Sequence, residues 1–228
     1  MIGAMAPRAI LLDALGTLVE LQPPAPALRE LLRERHGVEV SEHDARRALR
    51  AEMGHYRDNC VTATDAASLA ALRGRCVAIL AEQLGRAVQD LDRSDLLATL
   101  LESLRFRPFA EVPAALERWR AAGLRLVVAS NWDISLHDVL ERTGLRDLLD
   151  GVATSAAVGA SKPAAPVFEE ALSLAGVGPS EALHVGDSID ADVVGARAAG
   201  IEAVWLNRAG ESVPDGVRAI ATLDQLRP

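Results

Sequence analysis

Ala9-Ile10-Leu11-Leu12-Asp13-Ala14-Leu15-Gly16-Thr17-Leu18 is a short apolar run, a single carboxylate and then a glycine turn. Consecutive apolar residues bounded by a turn signal predict a strand covered on both faces, and Gly16 marks where the chain leaves it. Asp13 then stands at the carboxyl end of a strand, where open α/β sheets gather their ligands. An ionised carboxylate there has shed part of its water and needs a cation or hydrogen-bond donors. Taken alone, Asp-x-x-Gly reads as a strand cap or a turn, so the rest of the chain decides.

Downstream, Gln22-Pro23-Pro24-Ala25-Pro26 cannot continue a strand and reads as a stiff linker. From Ala27 to Leu104 the apolar residues recur at spacings of three and four: Leu28, Leu31, Leu32; Ala45, Ala48, Leu49, Met53, Tyr56; Leu69, Leu72, Cys76, Ile79, Leu80, Leu84; Leu96, Leu97, Leu100, Leu101, Leu104. Ser41-Glu42-His43-Asp44 resembles a capping box, and Gly37 and Gly85 fall where helices should stop. Four successive amphipathic helices make a small bundle with a core of its own. Beyond Phe106, helices alternate with short β-branched runs. Helices are expected from Pro113 to Gly123, over 134–142, 164–175 and 190–199, and strands over 124–129, 152–154, 182–186 and 201–206. That alternation predicts a doubly wound, Rossmann-like parallel sheet of the α/β class. The helical block is an insertion after the first strand: residues 1–19 and 106–228 form the core, and 20–105 a helical cap expected to close over the ligand end.

Composition narrows the partners. The net charge of −8 argues against a nucleic-acid footprint, while a small anionic substrate remains compatible if a local cation meets it. The two cysteines, Cys60 and Cys76, are too few for a disulfide framework and lack metal-ligand spacing. Arg8 precedes an apolar run in the manner of a signal peptide, but Asp13 interrupts it and no small-residue cleavage site follows. A cytoplasmic protein without a membrane span, monomeric or homodimeric, is the expectation.

The polar residues at the strand ends carry the chemistry. Asp13, Ser130 and Asp187 each follow an apolar run, and Lys162 lies in a loop between two of the strands. In a parallel sheet these ends share one edge, so distant segments deliver carboxylates, a hydroxyl and an ammonium to one crevice. Lys162 is the only lysine of the chain, every other cation being arginine. A lone lysine in Ser161-Lys162-Pro163 marks either a chance survivor or a place where a compact ammonium fits and a broad guanidinium does not. Gly186-Asp187-Ser188-Ile189-Asp190-Ala191-Asp192 opens a helix with several carboxylates. Capping and the helix dipole account for Asp190, but Asp187 belongs to the strand end. Oxygen ligands of this density near an anion suit Mg²⁺.

In this order, Asp13-x-x-Gly16-Thr17, Ser130-Asn131, Lys162-Pro163 and Gly186-Asp187-x-x-x-x-Asp192 resemble the four motifs of the haloacid dehalogenase superfamily, with a helical insertion after the first motif as in its C1-capped members. The resemblance implies that Asp13 is the nucleophile, that Thr17 orients it, that Ser130 and Asn131 bind substrate, and that Lys162 neutralises charge. It further implies a Mg²⁺ site from Asp13, the main-chain carbonyl of Leu15 and Asp187, with Asp192 acting behind them or through water. Phosphatases of the superfamily carry an aspartate two residues after the nucleophile, whereas this chain has Leu15. Leucine cannot move a proton, and losing such a group costs about 10²- to 10⁴-fold in rate. The implied activity is a Mg²⁺-dependent phosphatase acting on a small phosphorylated metabolite. A metal-free 2-haloacid dehalogenase, whose halide leaves unprotonated, and a catalytically impaired protein with a binding role are the alternatives. Arg57, on the second helix of the insertion, is a candidate substrate contact. Trp132 reads as pocket lining or core, His184 as a satisfied core histidine, and Asn207-Arg208 as a remote contact near the active edge.

Overall fold

The structure, a computed structural model, describes residues 6–227. The chain divides into two compact units, one running up to Glu20 and resuming at Pro108, the other being Leu21–Arg107.

The first unit begins with β1 (Ala9–Leu12), all four of whose residues are fully buried. Successive side chains of a strand point to opposite faces, so β1 is covered on both, as its unbroken apolar run predicts. After Asp13 the chain turns through Gly16, with the Gly16 N–H donating to Val19 O at 2.8 Å, and enters β2 (Val19–Leu21). The second unit follows, with α1 (Pro24–His36), α2 (Glu42–Asn59), α3 (Ala66–Leu84) and α4 (Arg93–Ser103). Leu28, Leu32, Ala45, Leu49, Leu80, Leu84, Leu96 and Leu100 meet in its core, which is the helical spacing of the sequence turned into contacts. Pro24 and Pro26 do not form a linker: they lie in the first turn of α1, where a missing N–H costs nothing. Ser41 caps α2, its Oγ accepting from the Asp44 N–H at 3.1 Å. β3 (Phe106–Pro108), unforeseen in the sequence, pairs with β2.

Back in the first unit come α5 (Val112–Ala121), β4 (Arg125–Ser130), α6 (Leu136–Arg142), β5 (Gly151–Thr154), α7 (Ser155–Val158), α8 (Pro166–Ala175), β6 (Ala182–Gly186), α9 (Gly195–Ala198), β7 (Glu202–Leu206) and β8 (Arg218–Ile220). The six-stranded sheet has the order β5-β4-β1-β6-β7-β8, and every pairing in it is parallel. One face packs Leu11, Val127, Ala129 and Ala203 against Val167, Phe168 and Ala171 of α8. This is the expected doubly wound α/β core. Two local expectations are corrected, and two short elements went unread. Ser130 is the last residue of β4 rather than the first beyond it. The helix expected over 190–199 is a wide π-type turn, Ile189–Val194, followed by the short α9. The edge strand β8 and the short α7 had no signal strong enough to read. Among the described residues no helix is long and apolar enough to cross a membrane.

Candidate active site

Register brings the polar residues together. Leu12 of β1 stands opposite Val128 of β4 and Val185 of β6, so one step further along the strands Asp13 lies level with Ala129 and Gly186. The Asp13 N–H extends the ladder to Val185 O at 3.0 Å. Ser130 and Asp187 come next on either side, the central position of β1 being what makes its carboxylate the middle of the group.

Lys162 completes it from the loop before α8. Its Nζ donates to Asp13 Oδ1 at 2.7 Å and to Asp192 Oδ1 at 2.5 Å, and the residue is only 5% exposed. Ser130 Oγ adds a third bond, to Asp13 Oδ1 at 3.1 Å. Asn131 fixes the lysine backbone with both ends of its amide, accepting from the Lys162 N–H at 2.7 Å and donating to Lys162 O at 3.0 Å. Asp192 is saturated on both oxygens: Oδ1 also meets His184 Nε2 at 2.9 Å, and Oδ2 accepts from the Ser188 N–H at 3.0 Å. The π-type turn is what carries Asp192 back over Ser188 to reach these partners. Burial alone would drive the ammonium of Lys162 toward neutrality, but the two facing carboxylates outweigh it and hold its pKa above the ordinary lysine value. Burial also works against ionised Asp192, and there Lys162 and His184 prevail and keep its pKa far below the usual range. At Asp13 burial wins, helped by Asp192, and its pKa lies above the ordinary value.

Asp13, Asp187 and Asp192 can each offer an oxygen within 4.8 Å of the others, with Asp187 the exposed member. Partial desolvation first, and then the charges of Asp13 and Asp192, push Asp187 up to about 7. Three carboxylates face a single ammonium, so the cluster carries two negative charges in excess when all are ionised. Two glycines permit this crowding. Gly16, at φ +84°, passes so close to Asp187 that a Cβ would overlap its Oδ2, and a Cβ on Gly186 would overlap Asp192 Cγ. Thr17 is fully buried, and its Oγ1 has no hydrogen-bond partner among the described residues.

The sequence pattern that defines the haloacid dehalogenase-like hydrolases matches residues 7–200. The chain belongs to that family. Among its relatives is the bovine haloacid dehalogenase-like hydrolase domain-containing protein 3, 49% identical over 88 residues. That stretch is 39% of this chain and 35% of the bovine protein, so less than half of either is compared. Two solved structures align over nearly the whole length. A phosphatase of the family from Thermococcus onnurineus is 28% identical with a TM-score of 0.67, over 96% of this chain and 95% of that one. A 2-haloacid dehalogenase from Pseudomonas syringae pv. Tomato is 26% identical with a TM-score of 0.66, over 96% of both. The protein is a hydrolase of this family, with relatives of both chemistries.

Within this haloacid dehalogenase-like hydrolase, Asp13, Ser130, Lys162, Asp187 and Asp192 converge in one unit of the fold, with Thr17 and Leu15 on the loop that follows Asp13. Leu15 is 41% exposed. Arg57 lies on α2 of the other unit and is exposed. Trp132 is buried. Sequence reading named His184 as a core histidine and Asn207-Arg208 as a remote contact near the active edge, without foreseeing their partners. His184 is a charge-network member whose Nδ1 lacks a partner among the described residues. Arg208 donates to the carbonyls of Gly16 and Thr17. The one polar residue inside an otherwise apolar β6 was the available signal for the first. The place of Arg208 just beyond β7 signalled the active edge, but not its two carbonyl partners.

Proposed function

We propose that the protein is a Mg²⁺-dependent phosphatase for small phosphorylated metabolites, with Asp13 as nucleophile. The observation that carries this over the dehalogenase reading is the surplus negative charge of Asp13, Asp187 and Asp192 around Lys162. A metal-free reaction leaves Asp187 unneutralised beside the attacking carboxylate, whereas a divalent cation balances the trio. The donor set is hard oxygen throughout, which suits Mg²⁺. Asp13, Asp187 and the Leu15 carbonyl would hold it. Asp192, with both oxygens engaged by Lys162, His184 and Ser188, would act through them or through water. Bound there, the ion would offset charge on the phosphoryl oxygens.

The chain's own groups do the rest. Lys162 and Ser130 both converge on Asp13 Oδ1, which leaves Oδ2 to attack phosphorus. The new bond makes an aspartyl phosphate while the leaving-group oxygen departs with its electron pair, and water then cleaves the acyl phosphate, returning the carboxylate. Lys162 offsets the repulsion between carboxylate and phosphate, Ser130 can turn to a phosphoryl oxygen, and Asn131 holds the lysine in place. Thr17, whose hydroxyl makes no bond to Asp13 among the described residues, would orient it through the loop, and Arg57 is a candidate substrate contact from the helical unit. Because Leu15 gives no proton to the leaving group, the substrates favoured are acyl phosphates and activated aryl phosphates, whose leaving groups need none. The likeness to a 2-haloacid dehalogenase and the leucine itself support the second reading, halide displacement by Asp13.

Purified protein assayed against an aryl phosphate, an acyl phosphate and a 2-haloacid, each with Mg²⁺ or with chelator, separates them. Turnover of the phosphates that disappears with chelator and in Asp13→Asn is expected. Halide release untouched by chelator would overturn the phosphatase reading. A third reading, in which turnover is lost and the protein binds a partner, requires that Asp13 form no beryllium fluoride adduct in the presence of Mg²⁺.

A further inference from the structure

The loop that follows Asp13 is held by a residue far along the chain. Arg208 lies two residues beyond β7, and its guanidinium uses each of its sides. Nε donates to Gly16 O at 3.0 Å and Nη2 to Thr17 O at 2.9 Å. Nη1 donates to Glu111 Oε1 at 2.6 Å, and the plane sits 3.7 Å from the centroid of the Phe109 ring. The base of the side chain is itself anchored. The Asn207 N–H donates to Ile220 O at 2.8 Å, and Asn207 exchanges two bonds with the main chain of Glu211, at 2.8 and 2.9 Å. Both ion-pair partners are mostly shielded, with side chains 21% and 14% exposed. This is far more organisation than a surface arginine needs.

What it organises is specific. Gly16 and Thr17, three and four residues along from Asp13, follow directly on the Leu15 carbonyl, and the Thr17 hydroxyl has no hydrogen-bond partner among the described residues. Phe109 and Glu111 belong to the stretch through which the chain re-enters the unit at Pro108. We propose that Arg208 is a positioning residue for the hydrolysis: it fixes the 14–17 loop through two main-chain carbonyls, braced against Phe109 and Glu111, and so sets where the Leu15 carbonyl and Thr17 stand relative to Asp13. The proposal rests on the reading of Asp13 as nucleophile. A lysine cannot replace it, because a single ammonium makes neither the forked contact to two carbonyls nor the flat stack.

The test compares Arg208→Lys with wild type on an activated aryl phosphate. Since a misplacement of about 1 Å costs about 10²-fold in rate, a kcat fall of that order with little change in KM is expected. Calorimetric Mg²⁺ binding should weaken in parallel while the melting temperature stays close to wild type. Ethylguanidinium added to Arg208→Gly should restore part of kcat. Unchanged kcat in folded Arg208→Lys, or a loss confined to KM, overturns the proposal. If Arg208→Lys does not fold, Phe109→Leu, which removes only the stack, carries the test with the same two outcomes. Asp13→Asn separates the premises: if it stays active the nucleophile reading fails, and if it is inactive while Arg208→Lys keeps full kcat, only the role of Arg208 falls.

Discussion

Lys162 holds two carboxylates from a position that is 5% exposed, so its removal exposes each to the other. Breaking a buried ion pair from one side costs about 3–5 kcal/mol. Lys162→Met is therefore expected to lower the melting temperature by several degrees as well as abolish turnover, and calorimetry alongside the rate assay checks both. Lys162→Arg should also be inactive, because a guanidinium is too broad for a pocket whose walls approach to hydrogen-bond distance on two sides. Leu15 gives the opposite prediction. It is 41% exposed, so Leu15→Asp introduces a carboxylate that stays solvated and should leave stability near wild type. Turnover of esters with poor leaving groups should rise by about 10²-fold or more as the missing proton donor is supplied. A rate that stays flat or falls would mean the leaving group is handled in another way. At this scale the site was largely legible. Strand ends announced Asp13 and Asp187, and the solitary lysine announced itself. His184 was not legible, because an imidazole inside an apolar strand looks the same whether it meets a carboxylate or a carbonyl.

Between elements, the α2–α3 pair buries an unusual carboxyl. Glu52 is 4% exposed, and its Oε2 has no hydrogen-bond partner among the described residues. Burial raises its pKa above the ordinary glutamate value, against a smaller opposing effect of the Cys76 thiol. A carboxyl with a raised native pKa keeps its proton in the fold at a pH where the unfolded chain has lost it. Its contribution is therefore fully present below the unfolded pKa and is lost as pH rises through the native one. Urea midpoints of wild type and Glu52→Gln should run together at low pH and diverge on going up, with the glutamine variant the more stable at pH 8. Parallel curves would show that Glu52 is hydrated in solution. Helix positions in this unit followed directly from apolar spacing and from Ser41, Gly37 and Gly85. The turn at Ile189–Val194 did not, since its shape is set by Asp192 reaching Lys162 and His184, contacts with residues distant in the chain. Prolines misled in the opposite sense: the same ring that ends a strand also starts α1.

Across the molecule, four segments far apart in sequence must be in register before the charge cluster exists, so binding of the proposed Mg²⁺ would be linked to folding. A ligand that binds only the native state stabilises it by about 2.7 kcal/mol at a hundred times its dissociation constant. Mg²⁺ should thus raise the melting temperature of wild type. In Asp187→Asn that rise should vanish, while the metal-free variant melts above metal-free wild type at pH 8, because Asp187, pushed up to about 7, is then a repelling charge. A variant that keeps the Mg²⁺ shift would exclude Asp187 as a ligand. The parallel sheet was legible because β1, β4, β6 and β7 are nearly continuous apolar runs. The edge strand β8, short and half exposed, offers no such run.

The solitary lysine has a practical consequence. Protein grown on ¹⁵N-labelled lysine carries a single side-chain nitrogen signal, and it originates at the bond between Lys162 and Asp13. Without assignment or background, that one resonance would follow the arrival of each ligand in the crevice.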